Sequence, residues 1–214
     1  GCVMNVAVVI PDTSLETRAR RVAAVAARQA DAVDARACFP REAVDTMIAE
    51  RLLGIQIPVS LGGEGAGFAE IAEVCSILGQ ACAASAMVFA MHHIKLSSLV
   101  EHGLESPWHT QFMRRIAAEQ LLLGSATTEG GIGGNLRNSI CAAEVAGGIC
   151  RLEKDATVIS YGDHADAILI TSRAHADAVS TDQVMTVFLK DQYTLEKTHV
   201  WDTLGMRGTC SDGF

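Results

Sequence analysis

The chain has 214 residues, of which 49% are hydrophobic and 20% charged, and it carries a net charge of −8 at pH 7. This composition is that of an ordinary globular protein and excludes a disordered, collagen-like or fibrous chain. An acidic chain repels phosphate backbones, so we expect no nucleic-acid partner. No run of apolar residues approaches the roughly 18–20 that cross a bilayer, and we expect no membrane association.

The seven cysteines form no Cys-x-x-Cys pair, and their odd number leaves one over. That distribution favours buried, reduced thiols over a disulfide framework or a zinc site, so we expect no metal centre. The apolar run from Val6 to Ile10 has no basic segment before it and is therefore not typical of a signal peptide. These features predict a cytoplasmic protein.

Residues 1–122 carry apolar side chains at helical spacing. Ser14 predicts the start of a first helix, and Pro40 suits the first turn of a second helix that ends at Gly54. A glycine-rich loop follows, from Ile55 to Gly65. Three more helices are predicted: Ala69 to Cys82, Ser85 to His102, and one from the Ser106-Pro107 cap through Leu121. We expect an all-α domain over residues 1–122.

Beyond residue 122 the apolar period changes from 3.6 to 2, which is typical of short strands. The predicted strands are Cys141 to Val145, Ile149 to Leu152, Thr157 to Tyr161, Ala167 to Ser172, Val184 to Leu189 and Tyr193 to Val200. Such spacing favours an antiparallel barrel or sandwich over residues 123–214. The fold class is therefore α+β, with the helical domain first.

The most unusual segment is the glycine-rich stretch Thr127 to Asn135, which follows an apolar run. Four glycines let a backbone approach a flat or phosphorylated ligand closely, and two threonine hydroxyls can read the polar edge of a heterocycle. A flexible surface loop is the alternative. The segment is neither a Walker loop nor a Gly-x-Gly-x-x-Gly turn.

Two adjacent histidines, His92 and His93, lie on the most apolar predicted helix. Neighbouring helical residues point about 100° apart, so the pair cannot easily chelate one metal. We interpret them as partly buried histidines bonded to the backbone or to water. Neither a Ser/His/Asp order nor a Gly-x-Ser-x-Gly elbow supports a hydrolase.

Four motifs in chain order resemble the acyl-CoA dehydrogenase family of flavoproteins. Pro58 to Gly65 is similar to the family's Pro-x-x-x-Gly-Gly-x-Gly segment, and Thr128 to Asn135 to its Thr-Glu-Pro-x-x-Gly-Ser-Asp loop. Val158 to Gly162 stands where the family has Trp-Ile-Thr-Asn-Gly. Leu204 to Ser211 is close to its Leu-Gly-x-Arg-x-Thr/Cys-Ser strand pair. The resemblance runs through almost the whole chain.

The resemblance implies a helical domain, an antiparallel middle β-barrel over residues 123–214, and a C-terminal four-helix bundle, with FAD between barrel and bundle. It implies that Gly133 and Gly134 lie beside the thioester of an acyl-CoA substrate. It also implies flavin contacts from one loop and one strand: Ser125, Thr127, Thr128 and Gly133, then Val158, Ile159 and Ser160.

The reaction implied is α,β-dehydrogenation of an acyl-CoA, a step of fatty acid metabolism. A carboxylate removes the α-proton while a hydride passes from the β-carbon to the flavin. The resemblance also implies an electron-transfer partner and a homo-oligomer. In most of the family the catalytic Glu belongs to the C-terminal bundle, and this sequence stops at Phe214. We therefore assign no catalytic residue, and expect a fragment or a second chain that supplies the bundle.

These 214 residues alone should hold FAD weakly and show no dehydrogenase turnover. Three residues of the flavin loop depart from the family, with Gly130, Gly134 and Asn135 in place of Pro, Ser and Asp. Val158 replaces an aromatic residue and forfeits a stacking contact of roughly 0.5–1.5 kcal/mol. A flavin monooxygenase of the same superfamily and a non-catalytic remnant of the fold are the alternatives.

Overall fold

The computed structural model describes residues 13–36, 39–126, 128–129, 144–146, 149–151, 156–158, 161–173 and 183–192. Up to residue 122 the described elements are helical, which confirms the predicted helical N-terminal region. The helices are α1 (Leu15–Arg36), α2 (Arg41–Ala49), α3 (Phe68–Ala81), α4 (Ala83–His102) and α5 (Pro107–Glu119). Short 3-10 turns cover Leu52–Gly54 and Val59–Leu61 between α2 and α3. The domain boundary at residue 122 stays a prediction.

The predicted caps of α1 and α5 are confirmed. The Thr17 N–H donates to Ser14 Oγ at 3.3 Å, and the His109 N–H donates to Ser106 Oγ at 3.4 Å. Each hydroxyl satisfies one of the donors that a helix start leaves unpaired.

The prediction for α2 is wrong at both ends. Pro40 precedes the helix rather than lying in its first turn, and the helix ends at Ala49 rather than Gly54. Arg51 adopts left-handed backbone angles (φ 57°), which cannot continue a helix. The Glu50 carbonyl instead accepts two hydrogen bonds, from Arg18 Nε at 3.0 Å and Arg18 Nη2 at 2.7 Å.

Seven short strands follow α5 among the described residues. They are β1 (Leu123–Ala126), β2 (Thr128–Glu129), β3 (Glu144–Ala146), β4 (Ile149–Arg151), β5 (Ala156–Val158), β6 (Ala167–Arg173) and β7 (Gln183–Leu189). In the described part of the chain they form a β1-β6-β7 sheet and two separate pairs, β2-β5 and β3-β4. A barrel is therefore not established by these strands, and the predicted strand from Tyr193 to Val200 lies outside the described residues.

The three-stranded sheet is mixed, whereas the sequence pattern predicts antiparallel strands. β1 runs parallel to β6, with Leu123 opposite Ala167, and β6 runs antiparallel to β7. A parallel pair needs a connection of a dozen or more residues, and the chain between β1 and β6 is long enough for one. The apolar period of a strand carries no information on its direction, so the sequence could not distinguish the two cases.

The helices and the sheet share their buried side chains. Leu96 and Leu99 of α4 pack with α5 and with Leu123, Leu169 and Val187 of the sheet. By length and apolar composition, α4 is the one helix among the described residues that could cross a membrane. Its inward face is nonetheless buried against other protein elements, which is the pattern of a core helix.

The three glycines of the Pro58–Gly65 motif are each required, for two different structural reasons. Gly62 and Gly65 adopt φ values of 93° and 65°, where a side chain is strained. Gly63 has no room for a side chain, because a Cβ there would collide with the Ile57 carbonyl. A bidentate pair from Arg18 to Glu64 (2.7 and 2.8 Å) then ties this loop to α1.

Gly63→Ala should lower the free energy of unfolding by about 1–3 kcal/mol, because the new methyl group meets rigid backbone. Gly79→Ala is the matched control: Gly79 lies in the last turn of α3, and its Cβ would meet only Ala86 Cβ at 3.7 Å. That change should raise the free energy of unfolding by about 0.5–1 kcal/mol. Urea unfolding of both variants tests whether the free energy of unfolding falls for Gly63→Ala and rises for Gly79→Ala. An unfolding midpoint for Gly63→Ala at or above that of the parent chain would contradict the packing argument.

Candidate functional site

The structure brings together two of the residues predicted to contact a flavin. Thr128 in β2 lies opposite Val158 in β5 in an antiparallel pair, with a register shift at Thr128 and Glu129. The two segments singled out by the family resemblance therefore meet at one place. Ser125 lies on β1 opposite Leu169 of β6. Thr127, Gly133, Gly134, Ile159 and Ser160 lie outside the described residues, and the ligand roles of all these residues stay predictions.

The start of β1 is fixed to the helical core by hydrogen bonds at Leu122 and Leu123. The Leu122 N–H donates to Asp166 Oδ2 at 2.8 Å. The Leu123 N–H donates to His92 Nδ1 at 3.1 Å, and the Leu123 carbonyl accepts from the buried Tyr161 hydroxyl at 2.8 Å. The strand that leads into the glycine-rich segment thus begins from a fully bonded, buried position.

His92 and His93 are both buried and both bonded through their two ring nitrogens. His92 Nε2 donates to the Leu53 carbonyl at 2.6 Å, and His93 Nε2 donates to the Leu52 carbonyl at 2.9 Å. A carbonyl oxygen only accepts, so each Nε2 carries the proton and each Nδ1 is the acceptor of a neutral ring. The interpretation of this pair as histidines bonded to the backbone is confirmed, but both side chains are fully rather than partly buried.

Burial keeps both imidazoles neutral. Removal from water lowers the pKa of His92 to about 4. Burial, and then the neighbouring His92, lower the pKa of His93 well below its usual value. Protonation of His92 at Nδ1 would also point two N–H groups at each other, because the Leu123 N–H already donates there.

A groove of about 600 Å³ lies between α3 and α4, on the outer side of the histidine pair. Its apolar wall is formed by Phe68, Ile71, Ala72, Cys75, Ala90, Ile94 and Val100. Its polar wall is formed by Gln56, His93, Ser97 and Glu101. Clefts of this size and mainly apolar lining are typical of small-molecule sites.

Sequence reasoning missed this groove, although a signal for it was present. His93, Ser97 and Glu101 are spaced by four residues, which places them along one stripe of an otherwise apolar helix. Gln56 offers no such signal, because its neighbours belong to a loop. Among the described residues, no group of three or more His, Cys, Asp or Glu side chains could hold a metal.

A family model, "Acyl-CoA dehydrogenase, N-terminal domain", matches residues 13–120. The chain is 25% identical over 161 residues to mitochondrial isovaleryl-CoA dehydrogenase of Pongo abelii, across 74% of this chain and 38% of that protein. The family model matches half of the chain, and the chain therefore belongs to the acyl-CoA dehydrogenase family.

Solved structures share the fold at low sequence identity. FMN-bound TdsC from Paenibacillus sp. A11-2, a dibenzothiophene monooxygenase, superposes with a TM-score of 0.79 at 18% identity over 93% of this chain and 50% of that one. A probable acyl-CoA dehydrogenase from Mycobacterium abscessus gives 0.75 at 22% identity, over 93% and 53%. The chain thus spans 38% of the curated relative and about half of these structures.

We expect stability to fall between pH 7 and pH 5. The unfolded chain takes up a proton on each histidine near pH 6.5, whereas folded His92 stays neutral down to about pH 4. Stability rises with pH wherever the unfolded state binds more protons, so acidification removes it. His92 alone should account for about 2 kcal/mol of the fall between pH 7 and pH 5.

Urea unfolding at the two pH values measures this fall. His102→Gln is the surface control, because it removes a histidine side chain that is 80% exposed, in contrast to the buried His92. A free energy of unfolding that is the same at both pH values would contradict a neutral, buried His92.

Proposed function

We propose that the chain provides the helical domain and part of the flavin site of an FAD-dependent acyl-CoA dehydrogenase. The family match over residues 13–120 carries the proposal. The 25% sequence identity to isovaleryl-CoA dehydrogenase, over 74% of the chain, supports the proposal. The pairing of Thr128 with Val158 adds support, because it brings the two expected flavin segments side by side.

The residues expected at the flavin suit a planar heterocycle with a polar edge. Thr127, Thr128 and Ser160 would supply hydroxyl groups that both donate and accept hydrogen bonds, and Gly133 and Gly134 would supply backbone N–H groups. A flavin held by these residues would supply the acceptor for a hydride from the β-carbon of the acyl-CoA. Backbone N–H donors at the thioester oxygen would make the α-proton more acidic.

The groove between α3 and α4 is a candidate site for the apolar part of the substrate. It lies against the same helix, α4, that bonds to the start of β1 through His92. A substrate that reaches from the flavin segments to this groove would bury its apolar portion against Ile71, Ala90 and Ile94.

Two large apolar side chains at this groove are exposed to solvent. Phe68 is 88% exposed and Ile94 61%. Exposed apolar surface of this kind marks a place where another protein element binds. We propose that a second copy of the chain or a chain carrying a helical bundle covers it, in a cytoplasmic assembly that passes electrons to a separate partner.

A flavin-dependent monooxygenase is the second candidate. The loop changes to Gly130, Gly134 and Asn135 remove a proline, a hydroxyl and a charge from the dehydrogenase motif, which favours a different substrate. A monooxygenase would act on an apolar molecule with reduced flavin and oxygen, and would need no carboxylate base.

Absorbance of the flavin in the protein purified from its native source, with its natural partners, separates the two functions. For a dehydrogenase, a saturated acyl-CoA should bleach the oxidised flavin without oxygen. For a monooxygenase, no acyl-CoA should bleach it, and supplied reduced flavin with oxygen should oxygenate an apolar substrate. The second pattern would overturn the dehydrogenase proposal.

In the protein with the C-terminal bundle supplied, Thr128→Ala should weaken FAD binding by about 0.5–1.5 kcal/mol, which is the value of one ordinary hydrogen bond. Quenching of flavin fluorescence during titration measures the dissociation constants of FAD and FMN. Thr46→Ala is the matched control, because Thr46 lies on helix α2 and its hydroxyl donates to the Glu42 carbonyl at 2.8 Å. Equal FAD affinity in the Thr128→Ala variant and the control would contradict the flavin role of Thr128.

A further inference from the structure

The polar wall of the α3–α4 groove is one chain of hydrogen bonds that starts in the core. Gln56 Nε2 lies 2.9 Å from His93 Nδ1 and 2.7 Å from the His93 carbonyl oxygen. Ser97 Oγ lies 3.0 Å from Gln56 Oε1 and 2.8 Å from the same carbonyl oxygen. Gln56 and Ser97 are half-buried, whereas His93 is fully buried behind them.

The direction of each bond in this chain is determined by the Leu52 carbonyl. That oxygen only accepts, so the proton of His93 is on Nε2 and its Nδ1 must accept. The amide nitrogen of Gln56 therefore faces Nδ1, and both of its N–H groups are used there and at the His93 carbonyl. The amide oxygen of Gln56 is consequently turned toward Ser97.

The polar wall can therefore accept hydrogen bonds from a ligand without breaking its own hydrogen bonds. It has no unused N–H or O–H group to donate to a ligand. The single hydroxyl hydrogen of Ser97 is used by Gln56 Oε1 or by the His93 carbonyl, while lone pairs remain on both side-chain oxygens. Glu101 adds a carboxylate, which also accepts. The backbone N–H groups of Ala66 and Gly67, at the other side of the groove, are bonded to the Ile55 carbonyl and to Glu70.

We infer that the groove selects an apolar small molecule that carries a hydrogen-bond donor, a hydroxyl or an N–H group, and that Ser97 and Gln56 determine this choice. A ligand with only an ether or carbonyl oxygen would break an internal bond of the wall or leave its oxygen unpaired. A carboxylate would in addition lie near Glu101. The inference rests on the proposed function in taking this molecule as the apolar part of the substrate.

A small molecule fits the groove better than a protein segment does. Its volume of about 600 Å³ is within the range of small-molecule clefts. Its polar groups are a short, internally bonded set at one wall rather than a rim, so they can orient a single functional group. Apart from the Cys75 thiol, the walls on α3 and α4 are otherwise aliphatic or aromatic, and they suit a ring system.

The binding of 1-naphthol and 1-methoxynaphthalene to the purified chain tests the inference. The two probes share the same rings, and the methyl ether lacks the donor. We expect 1-naphthol to bind about three- to tenfold more tightly, as one additional hydrogen bond provides. Calorimetry gives the two dissociation constants. Protection of Cys75 from maleimide, read by peptide mass mapping, locates the probe because Cys75 lines the groove.

Ser97→Ala removes one of the two acceptors of the polar wall and should reduce the ratio of the two dissociation constants, with the affinity for the ether unchanged. Ser98→Ala is the matched control, because Ser98 is the next residue on α4 and does not line the groove. Equal affinity of the parent chain for the two probes, an unchanged ratio in Ser97→Ala, or binding without protection of Cys75 would each overturn the inference.

The failure of this inference and the failure of the proposed function can be told apart. Probe binding is measured without flavin, so a chain with no flavin site would still discriminate between the two probes. Conversely, loss of the discrimination leaves the Thr128→Ala effect on FAD binding untouched, because Thr128 is on β2 and Ser97 is on α4.

Discussion

The neutral imidazole of His92 is the contact on which the placement of the strands depends. Its ring joins the Leu53 carbonyl to the Leu123 N–H, and so connects the loop after α2, the core helix α4 and the first strand. All three groups are buried, and an unpaired buried donor or acceptor costs about 1–3 kcal/mol. A change at this ring would therefore disturb the helical core and the entrance to β1 together.

Much of the helical region could be predicted from the sequence, because its signals are local. Ser14 and Ser106 cap helices through their own side chains, and the apolar spacing of α3 and α4 is read within each segment. The end of α2 could not be predicted in this way. It depends on Arg18, more than 30 residues away, whose guanidinium donates two hydrogen bonds to the Glu50 carbonyl. The parallel pairing of β1 with β6 likewise joins residues that are far apart in the sequence.

Only the part of the candidate site that lies in a family motif could be predicted from the sequence. The pairing of Thr128 with Val158 agrees with the order of the family motifs, whereas the groove emerged only from the fold. Its polar wall combines Gln56 from a loop with His93 and Ser97 from a helix, and no single segment contains that arrangement. Three polar residues, His93, Ser97 and Glu101, mark the face of α4 that lines the groove. Only the bond from His93 Nε2 to the Leu52 carbonyl shows which side-chain atoms of the wall donate and which accept.

One short turn holds the two halves of the proposed active site in a fixed relation. The carbonyls of Leu52 and Leu53 are adjacent in the 3-10 turn Leu52–Gly54, and they accept from His93 and His92 respectively. Through His92 the turn positions the strand β1, which leads to the segment proposed to bind flavin, and through His93 it orients the polar wall of the groove. The Leu53 N–H is in turn bonded to Gln120 Oε1 at 3.0 Å, directly before that strand. Because these bonds are buried and use rigid backbone groups, a substrate that spans the two places would meet partners whose spacing is already set before it binds.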